Sequence, residues 1–377
     1  MNFAKRFASI ADPTVSDLLK LTETPGIISF AGGTPSPQAL PYGLIKEILP
    51  ELDIDLQYTP TQGVKSLRET LAKIYTDKWS TKITPEQILI TSGSQQALDL
   101  IAKVFLNEGD ITFVEEPTYF VALYAFNAYG AQYETIQAEK ITGNEKLSGK
   151  LMYLVSNFQN PSGKTISENQ RRKIASAVVA NDLILIEDDP YGELFFTDCP
   201  PKPIALSAPK NTIYLTSVSK IMGPALRLGI VISTAEIIQG LTRAKTGMDL
   251  CTSGLLQQLA GKILADPKYQ DHLINMRKFY AGKCRSLLVE LNKQMPGGVS
   301  WTKPQGGLFI WVELPDRIDT SVLYKQALAK GVAFVPGYIF SPTGKLKNCL
   351  RLSFASPSLE EIKSGIAVLS NLIKSNL

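Results

Sequence analysis

Short apolar runs alternate with helix-length amphipathic segments between residues 87 and 233, and this alternation limits the folds open to the chain. Six runs have the length of buried strands: QILIT, DITFVEE, LMYLVS, LILIEDD, TIYLTS and LGIVIS. Segments 94–109 and 167–182 have helical spacing, and Ser167 is placed as an N-cap. Alternation of this kind predicts an α/β fold, with a mostly parallel sheet between layers of helices.

One pair of runs breaks the alternation. TIYLTS and LGIVIS are separated by fewer than a dozen residues. A parallel crossover needs a dozen or more residues, whereas antiparallel strands need only a short connection. The sequence therefore predicts a mixed sheet with one antiparallel strand.

The C-terminal third has a different pattern. Helices separate the strand-like segments WTKPQGGLFIWVEL, GVAFVPGYIF and CLRLSFA, and a final helix follows over 358–376. This pattern indicates an α+β unit that begins within a long helix near residues 265–290. We predict an N-terminal arm over residues 1–40 that packs with the small domain, a large domain over 41–275 and a small α+β domain over 276–377.

Composition excludes several classes of protein. The 377 residues carry a formal net charge of +4 without a run of basic residues, which argues against a nucleic-acid surface. Isolated Cys199, Cys251, Cys284 and Cys349 indicate reduced thiols, and His272 as the only histidine argues against a His-based metal site or a Ser-His-Asp triad. No metal is expected. The N-terminus lacks the apolar core of a signal peptide and no 18-residue apolar stretch occurs, so we expect a soluble cytoplasmic protein.

Polar side chains follow five of the predicted strands, at the point where each strand ends. They lie in residues 92–96, 117–119, 157–163 and 188–191, and at Lys220. Ligands of open α/β sheets bind beyond the carboxyl ends of the strands. The sequence therefore predicts a site at this edge.

The residue types at this edge indicate one phosphate and one reactive amine. Gly93, Ser94 and Gln95 form a turn that opens a helix, which suits an anion, and Ser217 and Arg227 could contact the same anion. Neither GxGxxG nor GxxxxGK[ST] occurs, which disfavours a dinucleotide or a nucleoside triphosphate.

A single phosphate, a buried lysine and a buried carboxylate together suggest pyridoxal 5′-phosphate (PLP). Lys220 would form the Schiff base, and an acid would face the pyridinium nitrogen. A lysine among apolar strands is then explained as a nucleophile and not as a buried cation.

The motifs TSGSQQALDL, NFQNPSG, IEDDPYGEL and SVSKIMGPALRLG occur in this order. Together they resemble a class I/II aminotransferase of fold type I, near the kynurenine/2-aminoadipate aminotransferase subgroup, over essentially the whole chain. Ser156, Ser162 and Ala225 stand where such proteins often have proline, threonine and glycine, and none of these departures removes a reacting group.

The resemblance implies a role for each site residue. Lys220 would be the Schiff-base lysine and proton shuttle, and Asp188, chosen over Asp189, would pair with the pyridinium nitrogen. The remaining roles are ring-oxygen contacts from Asn160 and Tyr191, ring stacking by Tyr119, phosphate contacts from Gly93, Ser94, Gln95, Ser217 and Arg227, and substrate-carboxylate binding by Arg351 with Gly33 and Asn160. Tyr58 would reach the phosphate of a partner subunit, which implies a homodimer.

Three questions stay open at this stage. A PLP-dependent β-lyase of the same fold would share these motifs. A PLP-binding transcriptional regulator would need a helix-turn-helix module before ISFAGG, which fewer than 30 residues precede. The amino donor is undecided among aromatic, aliphatic and 2-aminoadipate-like side chains. An acidic side chain would need a cation, and Lys20 is the only one between Asp12 and Gln38, which slightly favours aromatic or aliphatic donors. The resemblance suggests 2-oxoglutarate as the acceptor and ping-pong kinetics.

Overall fold

The computed structural model describes residues 25–377 together with Ala4 and Arg6. Lys20 and most of the predicted N-terminal arm lie outside these residues. The strands are β1 (Ile28–Ser29), β2 (Ile88–Thr91), β3 (Ile111–Glu115), β4 (Gln132–Ile136), β5 (Leu151–Val155), β6 (Ile184–Asp188), β7 (Thr212–Ser217), β8 (Gly229–Ile232), β9 (Ser300–Trp301), β10 (Phe309–Glu313), β11 (Val332–Ala333), β12 (Val335–Pro336) and β13 (Cys349–Ser353).

The α-helices of the described residues span Tyr42–Ile48, Lys65–Trp79, Ser94–Phe105, Phe120–Asn127, Glu168–Ala180, Ala235–Thr246, Gly254–Ala265, Lys268–Gln294, Thr320–Ala329 and Leu359–Ser375. Ser167 is the N-cap of its helix, since its side chain accepts a hydrogen bond from the backbone N–H of Gln170. Pattern and capping together therefore located this helix correctly.

Seven strands form the large sheet, in the order β2-β8-β7-β6-β5-β3-β4. Strand β8 is antiparallel to β2 and β7, and the other neighbouring strands are parallel. The predicted mixed sheet with one antiparallel strand is confirmed. Strands β5 and β7 are buried along their whole length, because helices cover both faces of the sheet.

The sequence reading missed one strand of this sheet. β4 lies at the sheet edge, and its sequence QYETI is largely exposed. Because an edge strand of this kind lacks a continuous apolar run, its sequence resembles a loop.

Two smaller sheets contain the C-terminal strands. An antiparallel sheet has the order β12-β13-β10-β9, and β1 pairs in parallel with β11. GVAFVPGYIF forms two strands of two residues each and then a 3₁₀ turn, Gly337–Phe340, instead of one continuous strand. The pairing of β1 with β11 joins residues 28–29, which lie within the predicted arm, to the C-terminal third. The domain boundaries remain a prediction.

The helix Lys268–Gln294 connects the large sheet with the C-terminal strands. Its buried apolar residues recur every three or four positions, at Tyr269, Leu273, Met276, Tyr280, Cys284, Leu287 and Leu291. No helix within the described residues is both long enough and apolar enough to cross a bilayer.

Candidate active site

The carboxyl ends of five strands meet at one edge of the large sheet. Strands β2, β3, β5, β6 and β7 run in the same direction, since β2 and β7 are both antiparallel to β8. The polar segments that follow these strands therefore lie along a common edge.

Lys220 lies in a 3₁₀ turn, Val218–Lys220, directly after β7. Its Nζ donates a hydrogen bond to the carbonyl oxygen of Gly33 at 2.9 Å. Burial, together with the positive charges of Arg351 and Arg227, lowers the pKa of Lys220 to about 8. A substantial fraction of this amine is therefore neutral near physiological pH, as a nucleophile requires.

Asp188 ends β6 and is buried. Its Oδ2 accepts a hydrogen bond of 2.8 Å from the hydroxyl of Tyr153, and its Oδ1 has no partner among the described residues. Burial is the main cause that raises the pKa of Asp188 to about 7. The charge of Asp189 acts in the same direction, whereas the hydrogen bond from Tyr153 and the charge of Lys220 oppose the rise. The buried carboxylate thus has one oxygen open to a cationic or hydrogen-bonding ligand.

Asp189 has a separate environment. Its Oδ2 accepts a hydrogen bond of 2.8 Å from Tyr214, and Lys78 is the charge that most opposes the effect of its burial. Two adjacent acids therefore have different tyrosine partners, and Lys220 is among the charges that act on Asp188.

Arg351 is buried on β13 and faces Asn160. Its Nη1 donates to Asn160 Oδ1 at 2.8 Å, its Nη2 donates to the carbonyl oxygen of Ala31, and its Nε has no partner among the described residues. The guanidinium carbon lies 4.4 Å from the centroid of the Phe309 ring. A buried guanidinium with an open donor is a binding group for a carboxylate.

The turn before the helix Ser94–Phe105 provides the candidate phosphate site. Gly93 has φ +83°, and a Cβ at this position would lie 2.8 Å from Arg227 Nη2, so only glycine lets the guanidinium approach. No side chain caps the helix N-terminus, and the side chain of Gln95 donates to the carbonyl of Val121, which leaves backbone N–H groups for an anion.

Ser217, the last residue of β7, lies at the same edge of the large sheet. Its hydroxyl accepts a hydrogen bond from the backbone N–H of Ser219 at 3.0 Å, and its Oγ lies 2.8 Å from Ser219 Oγ. Gly93 lies beside Arg227, and Ser94 Oγ lies 3.5 Å from the carbonyl oxygen of Thr216, the residue before Ser217. The predicted phosphate contacts Gly93, Ser94, Ser217 and Arg227 therefore lie near the carboxyl end of β7.

Two of the three predicted tyrosines lie near these groups. Tyr191 follows β6 and packs edge-on against Phe309, with ring centroids 5.7 Å apart. Burial raises the pKa of Tyr119 to about 12, and the charges of Asp188 and Arg351 also act on this hydroxyl. Tyr58 is 82% exposed, and the structure does not bring it to the other site residues.

Sequence reasoning missed two buried side chains that support the site. Tyr153 lies two residues before the end of β5, on the face of the sheet that carries Asp188, and the period-two alternation of strands could have placed it there. Arg171 donates to the carbonyl oxygens of Ser156 at 3.0 Å and Ile166 at 2.9 Å, which fixes both ends of the segment that carries Asn160.

These residues fit PLP. The open Asp188 Oδ1 suits a pyridinium nitrogen, the partly neutral amine of Lys220 suits the aldehyde, and the uncapped turn at Gly93 beside Arg227 suits the phosphate. Arg351 then remains for the carboxylate of a substrate.

Comparison with known proteins agrees with this fit. The sequence profile of the family described as "Aminotransferase class I and II" matches residues 50–369. The fold and the site define a PLP-dependent transferase of fold type I. More specifically, the chain belongs to the class I and II aminotransferase family.

Two relatives and one solved structure are similar over nearly the full length. Aromatic-amino-acid aminotransferase 1 of Thermococcus litoralis is 38% identical, covering 100% of this chain and 94% of the relative. The 2-aminoadipate transaminase of Thermus thermophilus is 36% identical, covering 99% of this chain and 96% of the relative. The structure of Pyrococcus horikoshii kynurenine aminotransferase, in complex with PMP, has a TM-score of 0.93 at 41% identity, covering 100% and 97% of the two chains. The protein is a PLP-dependent aminotransferase, which transfers an amino group to a 2-oxo acid.

Proposed function

We propose that the enzyme transfers the amino group of an aromatic, aliphatic or 2-aminoadipate-like L-amino acid to 2-oxoglutarate in two half-reactions. The observation that carries this proposal is the buried Arg351, whose Nη1 contacts Asn160 and whose Nε has no partner among the described residues, so that it is suited to a substrate carboxylate. The names of the relatives support aromatic amino acids, 2-aminoadipate and kynurenine as donors.

One group of site residues would bind the cofactor. PLP, when bound, supplies an aldehyde that accepts the amino group and a ring that withdraws electrons from the α-carbon. The groups that would hold it are Lys220, Asp188, Asn160, Tyr191, Tyr119, Gly93, Ser94, Gln95, Ser217 and Arg227.

Proton transfer falls to Lys220. Its Nζ is the amine that removes the α-proton of the bound amino acid, and a pKa lowered to about 8 makes it an effective base near neutral pH. Arg351, with Asn160 and Gly33, binds the α-carboxylate and so orients the α-carbon toward this amine.

The proposal is tested by incubating the purified holoenzyme with single amino acids and 2-oxoglutarate. Glutamate and the matching 2-oxo acid should appear in equal amounts, and initial rates should follow ping-pong kinetics. A β-lyase would instead release ammonia and pyruvate from a donor with a leaving group at its β-carbon, without forming glutamate. Release of these products without glutamate for every donor would disprove the proposed function.

Replacing Arg351 with alanine should weaken substrate binding. A bidentate, charge-assisted contact to a carboxylate is lost, and we expect the KM of the amino donor to rise about 100-fold. The kcat should fall by a smaller factor, since Lys220 and Asp188 are retained and only the Arg351 charge that helps to lower the pKa of Lys220 is lost. Steady-state kinetics measures both constants, and an unchanged KM would contradict the assignment of Arg351.

Replacing Tyr153 with phenylalanine should make cofactor binding more dependent on pH. The hydrogen bond from Tyr153 lowers the pKa of Asp188, so its loss raises that pKa and leaves less carboxylate ionised at neutral pH. We expect affinity for PLP to fall about tenfold near pH 7 and to approach the wild-type value near pH 9. Tyr214→Phe is the matched control, because Tyr214 bonds Asp189 at the same distance. If Tyr153→Phe and Tyr214→Phe lost the same affinity for PLP at all pH values, a specific role for Tyr153 would be refuted.

We also propose a homodimer in which Tyr58 reaches the partner's phosphate site. Residues 55–58 lie beside residues 251–255, and Leu56 and Tyr58 are 85% and 82% exposed, which is unusual for large apolar side chains. Analytical ultracentrifugation should give twice the monomer mass at micromolar concentration. Tyr58→Phe should weaken PLP binding without dissociating the dimer, and a monomeric, fully active wild type would exclude this arrangement.

We further propose that the enzyme is cytoplasmic. All four cysteines are free, as expected in a reducing compartment.

A further inference from the structure

The helix Lys268–Gln294 carries three polar side chains, Arg277, Tyr280 and Lys283, at successive steps of three residues. Each step advances about 4.5 Å along the helix axis. Each side chain contacts a main-chain group of a different segment of the active site. We call these three residues the helix row.

Arg277 holds the segment that carries Tyr191. Its Nε donates to the carbonyl oxygen of Glu193 at 2.8 Å, and its Nη2 donates to the Glu193 carboxylate at 2.8 Å. The backbone N–H of Leu194 donates to the carbonyl of Tyr191 at 2.7 Å, which closes the intervening residues into a tight turn. The position of Tyr191 is therefore linked to Arg277 through this hydrogen-bonded turn.

Tyr280 holds the segment that carries Gly33. Its fully buried hydroxyl oxygen accepts a hydrogen bond of 3.0 Å from the backbone N–H of Ser36. Gly33, three residues earlier, accepts a hydrogen bond from Lys220 Nζ through its carbonyl. The hydroxyl of Tyr280 thus fixes the chain that borders the reactive amine.

Lys283 holds the chain just after the strand that carries Arg351. Its Nζ donates to the carbonyl oxygens of Ala355 at 2.7 Å and Ser356 at 3.3 Å. The side chain is only 6% exposed and forms no ion pair among the described residues, and this burial lowers its pKa to about 8. An apolar residue would avoid this desolvation cost, so the contact with these carbonyls accounts for a lysine here.

We propose that the helix row fixes the position of the cofactor side of the active site relative to the substrate side. Arg277, Tyr280 and Lys283 are then positioning residues for binding of the amino acid. The cofactor side is the turn of Tyr191, and the substrate side comprises the segments of Gly33 and Arg351. This inference rests on the proposed function. The substrate-side segments are also joined directly, since the Ser353 N–H donates to the Phe30 carbonyl at 2.8 Å. The row adds a link from both of them to the cofactor side.

The test compares Tyr280→Phe, Lys283→Met and Arg277→Met, alone and in pairs, in the holoenzyme. Tyr280→Phe preserves the shape of the core and removes only the acceptor for Ser36. We expect the KM of the amino donor to rise about tenfold in each single variant. For Tyr280→Phe, the dissociation constant of PLP and the visible spectrum should stay at wild-type values, a separation that general destabilisation would not produce.

The paired variants show whether the row acts as a unit. If one substitution already releases the two sides of the active site from their relative position, a second substitution has no further effect on it. Tyr280→Phe combined with Arg277→Met should therefore raise KM no more than the larger of the two single changes. Tyr269→Phe is the control, because Tyr269 is a buried tyrosine on the same helix outside the row. The inference would be overturned if the KM increases of the two single variants multiplied in the pair, or if the single variants left KM unchanged. An equal rise of KM in the Tyr269→Phe control would also overturn it. A wild-type enzyme that forms no glutamate would instead reject the proposed function.

Discussion

Replacing Lys220 with alanine is expected to abolish amino transfer, with kcat reduced by more than about 10⁴-fold. The substitution removes both the amine that the aldehyde needs and the base that takes the α-proton. The visible absorbance of the lysine-bound cofactor should disappear. Borohydride reduction of the wild type, followed by peptide mass analysis, should place the cofactor mass on Lys220.

Lys210→Ala is a suitable control, since this exposed lysine precedes β7, at the end of the strand opposite to Lys220. It should retain wild-type rates and the visible band. Multiple turnovers by Lys220→Ala without added amine, or a borohydride adduct on another lysine, would contradict the assignment.

Replacing Asp188 with asparagine is expected to lower kcat by about 10³-fold. Two unit charges about 4 Å apart attract by roughly 4 kcal/mol at an effective dielectric constant of about 20. Each 1.36 kcal/mol corresponds to about tenfold in rate, so loss of this charge corresponds to about three orders of magnitude. Single-turnover kinetics with a saturating amino acid would measure the effect on chemistry alone.

Asp189→Asn is the matched control for this change. Asp189 is an adjacent buried acid whose tyrosine partner is Tyr214, so its replacement should change stability more than kcat. If Asp189→Asn lost as much activity as Asp188→Asn, the choice between the two acids would be wrong. A wild-type rate in Asp188→Asn would remove the carboxylate from the mechanism.

The sequence predicted the parts of the fold that depend on local patterns. The apolar runs of β5, β6 and β7 are continuous because both faces of these strands are buried. The antiparallel β8 followed from the length of one connection. β4 was missed because an exposed edge strand has no comparable run.

The site residues could be predicted from sequence only where they end strands or match a motif. Asp188 ends β6, Lys220 follows β7 by one turn, and both belong to a motif. In the structure each of these two groups acts on the pKa of the other. Tyr153 lies within a strand, and its hydrogen bond to Asp188 depends on the register between β5 and β6, which no single segment encodes. The contacts of the helix row could be predicted from local patterns even less, since Tyr280 and Ser36 are 244 residues apart along the chain.

The reversed strand β8 has a consequence for how this site tolerates changes in length. Ser217 pairs directly with Gly229 across the β7–β8 hairpin, so Lys220 and Arg227 both belong to the short connection between these strands. The distance between the reactive amine of Lys220 and the permanent cation of Arg227 is therefore set by one loop and not by the packing of distant elements. Insertions elsewhere on the surface leave this spacing intact, whereas a single added residue between the two would separate covalent chemistry from anion recognition.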